Sequence, residues 1–451
     1  MALIRRKTRA LVVWTSAALA LGGCLQNPNA PGGGGGSAGL GGNVDNAQTD
    51  NDKTVTILGA FGGDEEKSFT KSLADFTSRT GIKIQYTSDQ DFTTTIKAKV
   101  KAGDSPDIGL FPQPGGIMEL AAQGKIQPID TFLDYDSLRS TLVPGFLDSA
   151  NYKGRVYGAP MRMAVKSIVW YNQAAYGASS YNKNPATLQD LAAITDQIKA
   201  TGTAPWCMGW EAAQATGWVG TDWIEEYVLR MHGPDVYDQW IYHKIPFNDD
   251  RIVKAFEEFG KLAKTDGNVF GGPNTVLNTA FAASLLPAFK TPPSCMLERQ
   301  GNFAITFFPP AVKADLDKQV GIFVFPKYAG GFAGQPILGG GDIAALFNGN
   351  DPDAQAVMKF LASDKFGGPW AQDGGWLSPH KTFDQSLYPN DITRKIAKMA
   401  ATADVFRFDG SDVMPKAVGS GTFWTAMVEW MKGTKTSQQV CDQIEASWPA
   451  P

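Results

Sequence analysis

The chain has 451 residues and a formal net charge of −4, with 41 basic and 45 acidic side chains. A mildly acidic chain without a basic run is a poor candidate for binding nucleic acid, and about 400 residues are too many for one core. The three histidines, His232, His243 and His380, lie far apart and have no metal-ligand spacing. We therefore expect two lobes, no nucleic-acid partner, no metal site and no cofactor.

The N-terminal segment combines basic residues, an apolar run and a cysteine. Four Arg and Lys residues fall within residues 5–9, and the mostly apolar residues 10–21 follow. This is the pattern of a secretory signal peptide, with an apolar region too short to span a bilayer as a stable helix. Leu21-Gly22-Gly23-Cys24 resembles a bacterial lipobox. We expect residues 1–23 to be a lipoprotein signal peptide and Cys24 to be lipidated; the alternative is an ordinary signal peptide with an incidental cysteine.

The residues that follow predict a tether. Glycines are concentrated in residues 32–42, with Asn, Asp and Ser around them and no apolar period, so residues 24–53 are predicted to be a flexible Gly-rich linker. A coil of this composition spans about 30 Å. Cleavage before Cys24 removes four basic residues and no acidic ones, which changes the formal charge from −4 to −8.

Residues 54–86 predict a β-α-β unit of an open α/β sheet. An apolar, β-branched strand over 54–60 ends at two glycines, and an acidic helix start at 64–66 leads into an apolar face at Phe69, Leu73 and Phe76. Residues 82–86 then alternate as the next strand. Ligands of such sheets lie beyond the carboxyl ends of strands, which makes Asp64 and Glu65 candidate ligand residues, with helix capping as the alternative.

Further elements follow in chain order. The pattern predicts a helix through Phe92, Ile96 and Val100, a third strand over 107–111 with a loop containing Gln113, and a hairpin over 152–157. It predicts an extended run over 163–171, helices capped by Thr187 and Thr221, and a helical apolar face at Ile252, Phe256 and Phe259. Strands are expected at 303–308, 321–325 and 343–347, and a last helix over 437–448.

These elements predict an α/β fold with two lobes, a hinge and an interlobe ligand cleft, as in periplasmic binding proteins. We expect lobe 1 to contain residues 54–163 and 343–403, and lobe 2 residues 164–342 and 404–451. Hinges are expected at 161–166 and 338–342, where extended, Gly- or Pro-flanked segments change lobe.

Catalytic patterns are weak. Gly35-Gly-Ser37-Ala-Gly39 matches a serine-hydrolase pattern but lies in the tether, and Gly339-Gly-Gly341-Asp-Ile-Ala344 precedes a strand where a dinucleotide site requires a helix. We predict that the protein is not an enzyme; a glycosidase with two distant carboxylates stays open.

Aromatic residues are the more informative signal. The chain has twelve tryptophans, and Trp210, Trp218, Trp376 and Trp424 stand beside Gly, acidic or aromatic residues. A tryptophan face packs on the C–H groups of a sugar while carboxylates accept its hydroxyl hydrogen bonds. The pattern favours a sugar-binding cleft, with core packing as the alternative for each ring.

Several blocks resemble a known family. Gly154-Arg-Val-Tyr-Gly-Ala-Pro160, Val165-Lys-Ser-Ile-Val-Trp-Tyr-Asn172 and Met414-Pro415 with Phe423-Trp424 resemble family 1 extracellular solute-binding proteins, the carbohydrate receptors of ABC importers. Trp206-Cys-Met-Gly209, Asp222-Trp223-Ile-Glu225 and Phe408-Asp-Gly-Ser-Asp412 are most similar to the alpha-glucoside-binding branch.

The resemblance implies roles for several residues. By similarity to maltodextrin-binding proteins, Asp64 takes sugar hydroxyls, Trp424 stacks on the sugar, and Trp210 with Glu211 forms an aromatic and acidic pair. Phe111 and Phe308-Pro309-Pro310 stand where relatives place tryptophans, which favours a disaccharide-sized ligand over long maltodextrins. The full set of candidate ligand residues is Asp64, Glu65, Gln113, Lys166, Trp210, Glu211, Trp218, Asp222, Asp342, Trp376, Arg407 and Trp424.

The expected protein is a lipid-anchored, monomeric receptor of the bacterial cell envelope that delivers an alpha-linked di- or oligosaccharide to ABC permease subunits. The alternatives are a receptor of the same fold for a polyol or glycerol phosphate, and a surface glycosidase. We also expect Cys207 and Cys295 to form a disulfide, because both are flanked by loop-forming residues, and Cys441 to be a free buried thiol, because it lies on a helix face with Ile444 and Trp448. The alternative is three free thiols.

Overall fold

The computed structural model describes residues 54–449. The signal peptide, the lipidation site at Cys24 and the tether lie outside the described residues, so those expectations stay predictions. No helix among residues 54–449 has the length and apolar character needed to cross a bilayer.

Strands and helices alternate along the described chain. The strands are β1 (Thr54–Gly59), β2 (Lys83–Ser88), β3 (Ile108–Phe111), β4 (Asn151–Tyr152), β5 (Arg155–Val156), β6 (Ala159–Val165), β7 (Ile168–Asn172), β8 (Ala204–Trp206), β9 (Cys295–Arg299), β10 (Val320–Val324), β11 (Pro336–Leu346) and β12 (Val405–Phe408). The helices are α1 (Asp64–Thr80), α2 (Phe92–Ala102), α3 (Pro114–Ala122), α4 (Tyr135–Thr141), α5 (Gln173–Gly177), α6 (Leu188–Ala200), α7 (Trp218–Ile241), α8 (Asp250–Ala263), α9 (Gly272–Asn278), α10 (Pro310–Lys313), α11 (Leu316–Gln319), α12 (Pro352–Leu361), α13 (Gly368–Asp373), α14 (Asp391–Ala401), α15 (Gly410–Val413), α16 (Trp424–Lys432) and α17 (Ser437–Glu445).

The larger sheet has the order β12-β11-β3-β1-β2, and β6 also pairs with β11. Strands β1, β2 and β3 are parallel, as the predicted β-α-β unit requires. Phe69, Leu73 and Phe76 of α1 are buried. Because the three strands are parallel, their carboxyl ends lie at one edge, and the loops after them form one wall of the site described below.

Strand β11 passes from one half of this sheet to the other. Its first residues, Pro336–Gly339, pair with β12, and its last residues, Ile343–Leu346, pair with β3. The pairing with β6 is irregular between Asp342 and Ile343. Gly341 has a φ of +148°, and a Cβ there would approach the Arg162 carbonyl oxygen to 2.0 Å, so only glycine fits this close crossing. The expected hinge segments are therefore neighbours on β6 and β11; their motion stays a prediction.

The smaller sheet has the order β10-β7-β9-β8. Cys207, directly after β8, and Cys295, at the start of β9, form a disulfide with 5.3 Å between their Cα atoms, and Cys441 is a buried free thiol. Both cysteine predictions are confirmed.

Two local predictions were wrong. Thr221 does not cap a helix: α7 begins three residues earlier, after Gly217, and the Thr221 hydroxyl is buried, donating to the Trp218 carbonyl oxygen at 2.8 Å. Residues 302–307 form a 3-10 helix rather than a strand. Phe303 and Phe307, four residues apart, have ring centres 6.3 Å from each other, a contact that the length of four extended residues would prevent.

Candidate functional site

A cleft of about 670 Å³ lies beyond the carboxyl ends of β1, β2 and β3. One wall is made by the loops that follow these strands, and the other by residues 212–215 together with the segment that leads into α16. The first wall contributes Ala60, Gln90, Asp91, Phe92, Thr93, Thr94, Pro112 and Gln113, and the second Ala212, Ala213, Gln214, Ala215, Lys416, Ser420 and Trp424. This is the position at which open α/β sheets bind ligands.

Trp424 is the large aromatic side chain of the second wall. It is half-buried and begins α16, directly after a π-helical turn over Val418–Phe423. Its indole Nε1 makes no hydrogen bond to the described chain. Phe423, one residue earlier, is fully buried among Trp240, Phe247 and Phe256. A turn of this kind separates the core-facing Phe423 from Trp424, which lines the cleft.

Six of the other lining residues are uncharged and polar, and six are apolar. Gln113, a candidate from the sequence, lines the cleft with Gln90, Gln214 and two threonines. The Lys416 ammonium lies 3.4 Å from the Thr93 hydroxyl on the opposite wall. Amides and hydroxyls of this kind both donate and accept hydrogen bonds, which matches the mixed character of sugar hydroxyl groups.

A buried ionic network lies beside α7 and contains two of the candidate residues. The Lys166 ammonium donates to Asp222 at 2.9 Å and to Asp409, and lies 5.2 Å from the centre of the Trp218 ring. Asp222 is also 3.2 Å from the Arg299 guanidinium. Burial raises the pKa of Asp222 to about 7 against the opposing effect of Lys166. Both side chains are buried and paired with protein charges, so the expectation that Lys166 and Asp222 contact a ligand does not match their placement.

A second ionic group joins β6 and β11 to α1. Arg162 on β6 donates to Asp342 on β11 at 2.6 Å and to Glu65 on α1 at 2.7 Å, and its guanidinium lies 4.7 Å from the Phe61 ring centre. The structure thus brings Glu65 and Asp342 together through one arginine. Asp64 is exposed and pairs with Lys67 at 2.8 Å, and it is not among the residues that line the cleft.

Three candidates lie elsewhere and are corrected here. Trp210 is fully buried and packs on Phe259, and Trp376 is fully buried beside Trp370. Their rings are enclosed by core side chains, so no face is open to a ligand. Arg407 on β12 makes two hydrogen bonds to Asp238, at 2.7 and 2.8 Å, which neutralise its charge away from the cleft.

Glu211 and Trp218 lie next to the lining residues without forming the wall. Glu211 accepts a hydrogen bond from the Ala213 N–H at 2.8 Å and so holds the turn that presents residues 212–215. Trp218 is half-buried, beside Lys166 and at 5.2 Å from the Phe281 ring centre.

Sequence reasoning missed the lining residues of the β2–α2 loop, of residues 212–215, and Lys416 and Ser420. The rule that ligands lie at strand carboxyl ends would have identified the β2–α2 loop had it been applied to every strand. Residues 212–215 follow β8 of the other sheet and carry mainly alanine, a residue type with no chemical signature.

Comparisons with known proteins agree with this architecture. Residues 62–367 match the family of bacterial extracellular solute-binding proteins. The chain is 42% identical to the osmoprotective compounds-binding protein GgtB of Synechocystis sp., over 88% of this chain and 93% of that protein. It is 34% identical to the alpha-glucosides-binding periplasmic protein AglE of Rhizobium meliloti, over 88% of this chain and 87% of that protein.

The solved structure of the bacterial solute receptor AcbH is similar in fold, with a TM-score of 0.72 and 17% identity over 87% of this chain and 98% of that one. Family match, relatives and fold agree. The chain belongs to the bacterial extracellular solute-binding protein family and has the two-lobed α/β fold of periplasmic binding proteins.

Proposed function

We propose that the protein is a lipid-anchored receptor of an ABC sugar importer that captures an alpha-linked di- or oligosaccharide in the cleft. The observation that carries the proposal is the composition of the cleft walls, in which one tryptophan faces a set of amides and hydroxyls across about 670 Å³. An aromatic face with a few placed polar groups suits an amphipathic, uncharged ring.

The charges near the cleft favour a neutral ligand over an anionic one. Phosphate recognition usually needs clustered, available Arg or Lys side chains. Lys166 is bound by two carboxylates and Arg407 by Asp238. Among the described residues that line the cleft, Lys416 is the one cation, and Asp91 lines the same space. A glycerol phosphate receptor is therefore the weaker alternative.

The ligand size follows from the stacking platform. One tryptophan side chain can stack on one sugar ring. The cleft volume of about 670 Å³ lies within the range of ordinary small-molecule pockets. Phe111 and Phe308, where maltodextrin receptors of the resembled family carry tryptophans, are buried in the core. Together with the relatives that bind alpha-glucosides and osmoprotective compounds, this supports a disaccharide-sized alpha-glucoside.

Ligand capture would close the two lobes about β6 and β11. Contacts that both walls make only in the closed state would shift the open–closed equilibrium. Small-angle scattering should show a smaller radius of gyration with a bound sugar; an unchanged radius at saturation would contradict closure.

The proposal includes a lipid anchor at the membrane and ABC permease subunits as partners. Lipidated Cys24 would hold the monomer at the outer face of the membrane, within reach of the ABC permease subunits. Cys24→Ser should release the protein from the membrane fraction or leave it unprocessed. Normal cleavage and unchanged fractionation would contradict the anchor.

A thermal-shift panel tests the ligand class. Maltose and sucrose should raise the melting temperature, because a ligand at 100 times its Kd stabilises by about 2.7 kcal/mol. Sorbitol and glycerol 3-phosphate should not; a shift with either alone would favour the other receptor class. Free glucose in the maltose or sucrose samples would show a glycosidase instead.

A further inference from the structure

Four carboxylates and three cations are buried together beside α7. The carboxylates are Asp222, Glu225, Glu226 and Asp409, and the cations are Lys166, Arg230 and Arg299, each at most 7% exposed. Every cation has a carboxylate partner: Lys166 contacts Asp222 and Asp409, Arg299 contacts Asp222 and Glu226, and Arg230 contacts Glu226. The buried group therefore holds one negative charge too many if all four acids ionise.

Glu225 is the acid without a cationic partner. Its Oε1 accepts a hydrogen bond from the Ser411 N–H at 2.9 Å, and its Oε2 is buried with no partner in the described chain. Carboxylate oxygens of Asp222 and Asp409 lie within 4.8 Å of Glu225. Two ionised carboxylates cannot hydrogen-bond each other, but a protonated one can donate to its neighbour. An uncompensated buried charge is costly, and the usual outcome is that the group binds a proton.

A metal ion would also supply positive charge, but an ammonium group already binds two of these carboxylates. Lys166 already donates to both Asp222 and Asp409. A divalent cation among Asp222, Glu225 and Asp409 would be repelled by this ammonium.

We propose that Glu225 is a neutral carboxylic acid that donates a hydrogen bond to Asp409. This bond positions the turn that supports the wall of the sugar cleft. The geometry of the turn explains how. Ser411, held by Glu225, lies in α15, and a Cβ on Gly419 would approach the Ser411 carbonyl oxygen to 1.9 Å. The π-helical turn that precedes Trp424 is thus packed directly on the residue that Glu225 holds.

The groups that face Glu225 oppose its ionisation. Burial raises its pKa well above the usual value, and Asp409 and Asp222 raise it further, while Lys166 acts in the other direction. Asp412 of α15 is half-buried next to this group, and its pKa is also raised by burial and by Asp409. Tyr237, on the same helix, is a neutral phenol buried beside Glu225. Among residues 54–449 no cation forms an ion pair with Glu225, so burial and the two aspartates dominate the shift of its pKa.

Glu225→Gln keeps the shape and provides a permanent N–H donor toward Asp409. The two proteins to compare are Glu298→Gln and the double variant Glu225→Gln with Glu298→Gln. Burial also raises the pKa of Glu298 to about 8, and the shared substitution removes that second titration. An unfolded glutamate has a pKa of about 4.3, so the folded state alone holds the Glu225 proton above that pH. Raising the pH therefore favours unfolding of the protein that retains Glu225. Relative to Glu225→Gln, its unfolding equilibrium constant should rise about tenfold per pH unit.

Denaturant unfolding from pH 5 to 8 measures that difference. A difference that does not change with pH would show that Glu225 is ionised and would overturn the proposal. Stabilisation by millimolar CaCl₂ that depends on Glu225 would also overturn it in favour of a cation. Neither readout needs a sugar, so failure here is distinct from failure of the proposed function, on which the sugar-binding role of the cleft rests.

The positioning role has its own readout. The indole Nε1 resonance of Trp424, assigned by comparison with Trp424→Phe, should shift as rising pH ionises Glu225 and should not shift in Glu225→Gln. A shift common to both proteins would contradict the role. If Glu225→Gln fails to fold, ¹³C-glutamate NMR of Glu298→Gln alone decides the protonation: one protonated glutamate at pH 7 supports the proposal, and none overturns it.

Discussion

Gly217 and Trp424 meet at the point where α7 and α16 begin. A Cβ on Gly217 would lie 2.1 Å from the Trp424 carbonyl oxygen, and Gly217 has a φ of +114°. The start of α7 is therefore pressed against the backbone of the aromatic residue that lines the cleft. A Cβ on Gly220, one turn later, would lie 2.7 Å from the Trp210 ring. The N-terminal turn of α7 is a packing surface for the cleft wall.

Gly217→Ala should therefore displace Trp424. We expect a loss of stability of at least about 1 kcal/mol, because the added methyl group meets backbone atoms and the φ is unfavourable for alanine. Sugar affinity should fall as well. Gly103→Ala is the matched control, since Gly103 also has a positive φ, 76°, but no atom lies within 4 Å of its added Cβ. Equal effects of the two substitutions on affinity would contradict the contact.

Removing the disulfide tests the architecture of the smaller sheet. Cys207 and Cys295 are 88 residues apart in sequence, and closing a loop of this length typically stabilises by about 2–5 kcal/mol. The double substitution Cys207→Ala and Cys295→Ala should lower the melting temperature under non-reducing conditions. In wild-type peptide maps made without reduction, an alkylated Cys207 would contradict the bond.

His380 should make the fold sensitive to acid. It is buried, its Nδ1 lies 2.9 Å from the Thr141 hydroxyl, and burial lowers its pKa to about 4. The unfolded histidine has a pKa of about 6.5, so the unfolded state binds the proton first as the pH falls. Stability should then decrease between pH 6.5 and 4, by about 1.4 kcal/mol per pH unit at most.

His380→Gln removes that dependence. Carboxylates titrate in both proteins, so the difference between their unfolding free energies isolates the histidine. A difference that stays constant from pH 7 to 4 would show that His380 ionises equally in the folded and unfolded states.

The sequence predicted the elements better than the site. Phe69, Phe92 and Phe256 mark helices because an apolar face recurs at 3.6 residues, whatever the tertiary context. Trp210 and Trp376 could not be separated from Trp424 in this way, since a tryptophan beside Gly or Glu occurs in cores and clefts alike. Which ring is enclosed depends on Phe259 and Trp370, which come from distant segments.

The roles of the charged residues were harder to predict than those of the tryptophans. Lys166 and Asp222 are 56 residues apart, and their pairing with Asp409 arises only when the β6–β7 connection, α7 and the turn after β12 meet. A sequence shows the charge of each residue but not its partner, so ligand contact and buried ion pairing look the same.

Calorimetric titration of maltose and sucrose into wild-type protein and Trp424→Ala, beside apo melting curves, tests most directly whether Trp424 binds a sugar in the cleft. Trp424 is half-buried and lines the cleft, so we expect binding to the wild type, at least a tenfold loss of affinity in the variant, about 1.4 kcal/mol, and a nearly unchanged apo melting temperature. Trp376→Ala is the core control and should instead cost about 3–5 kcal/mol of stability. Normal sugar affinity in a well-folded Trp424→Ala protein would contradict the central claim.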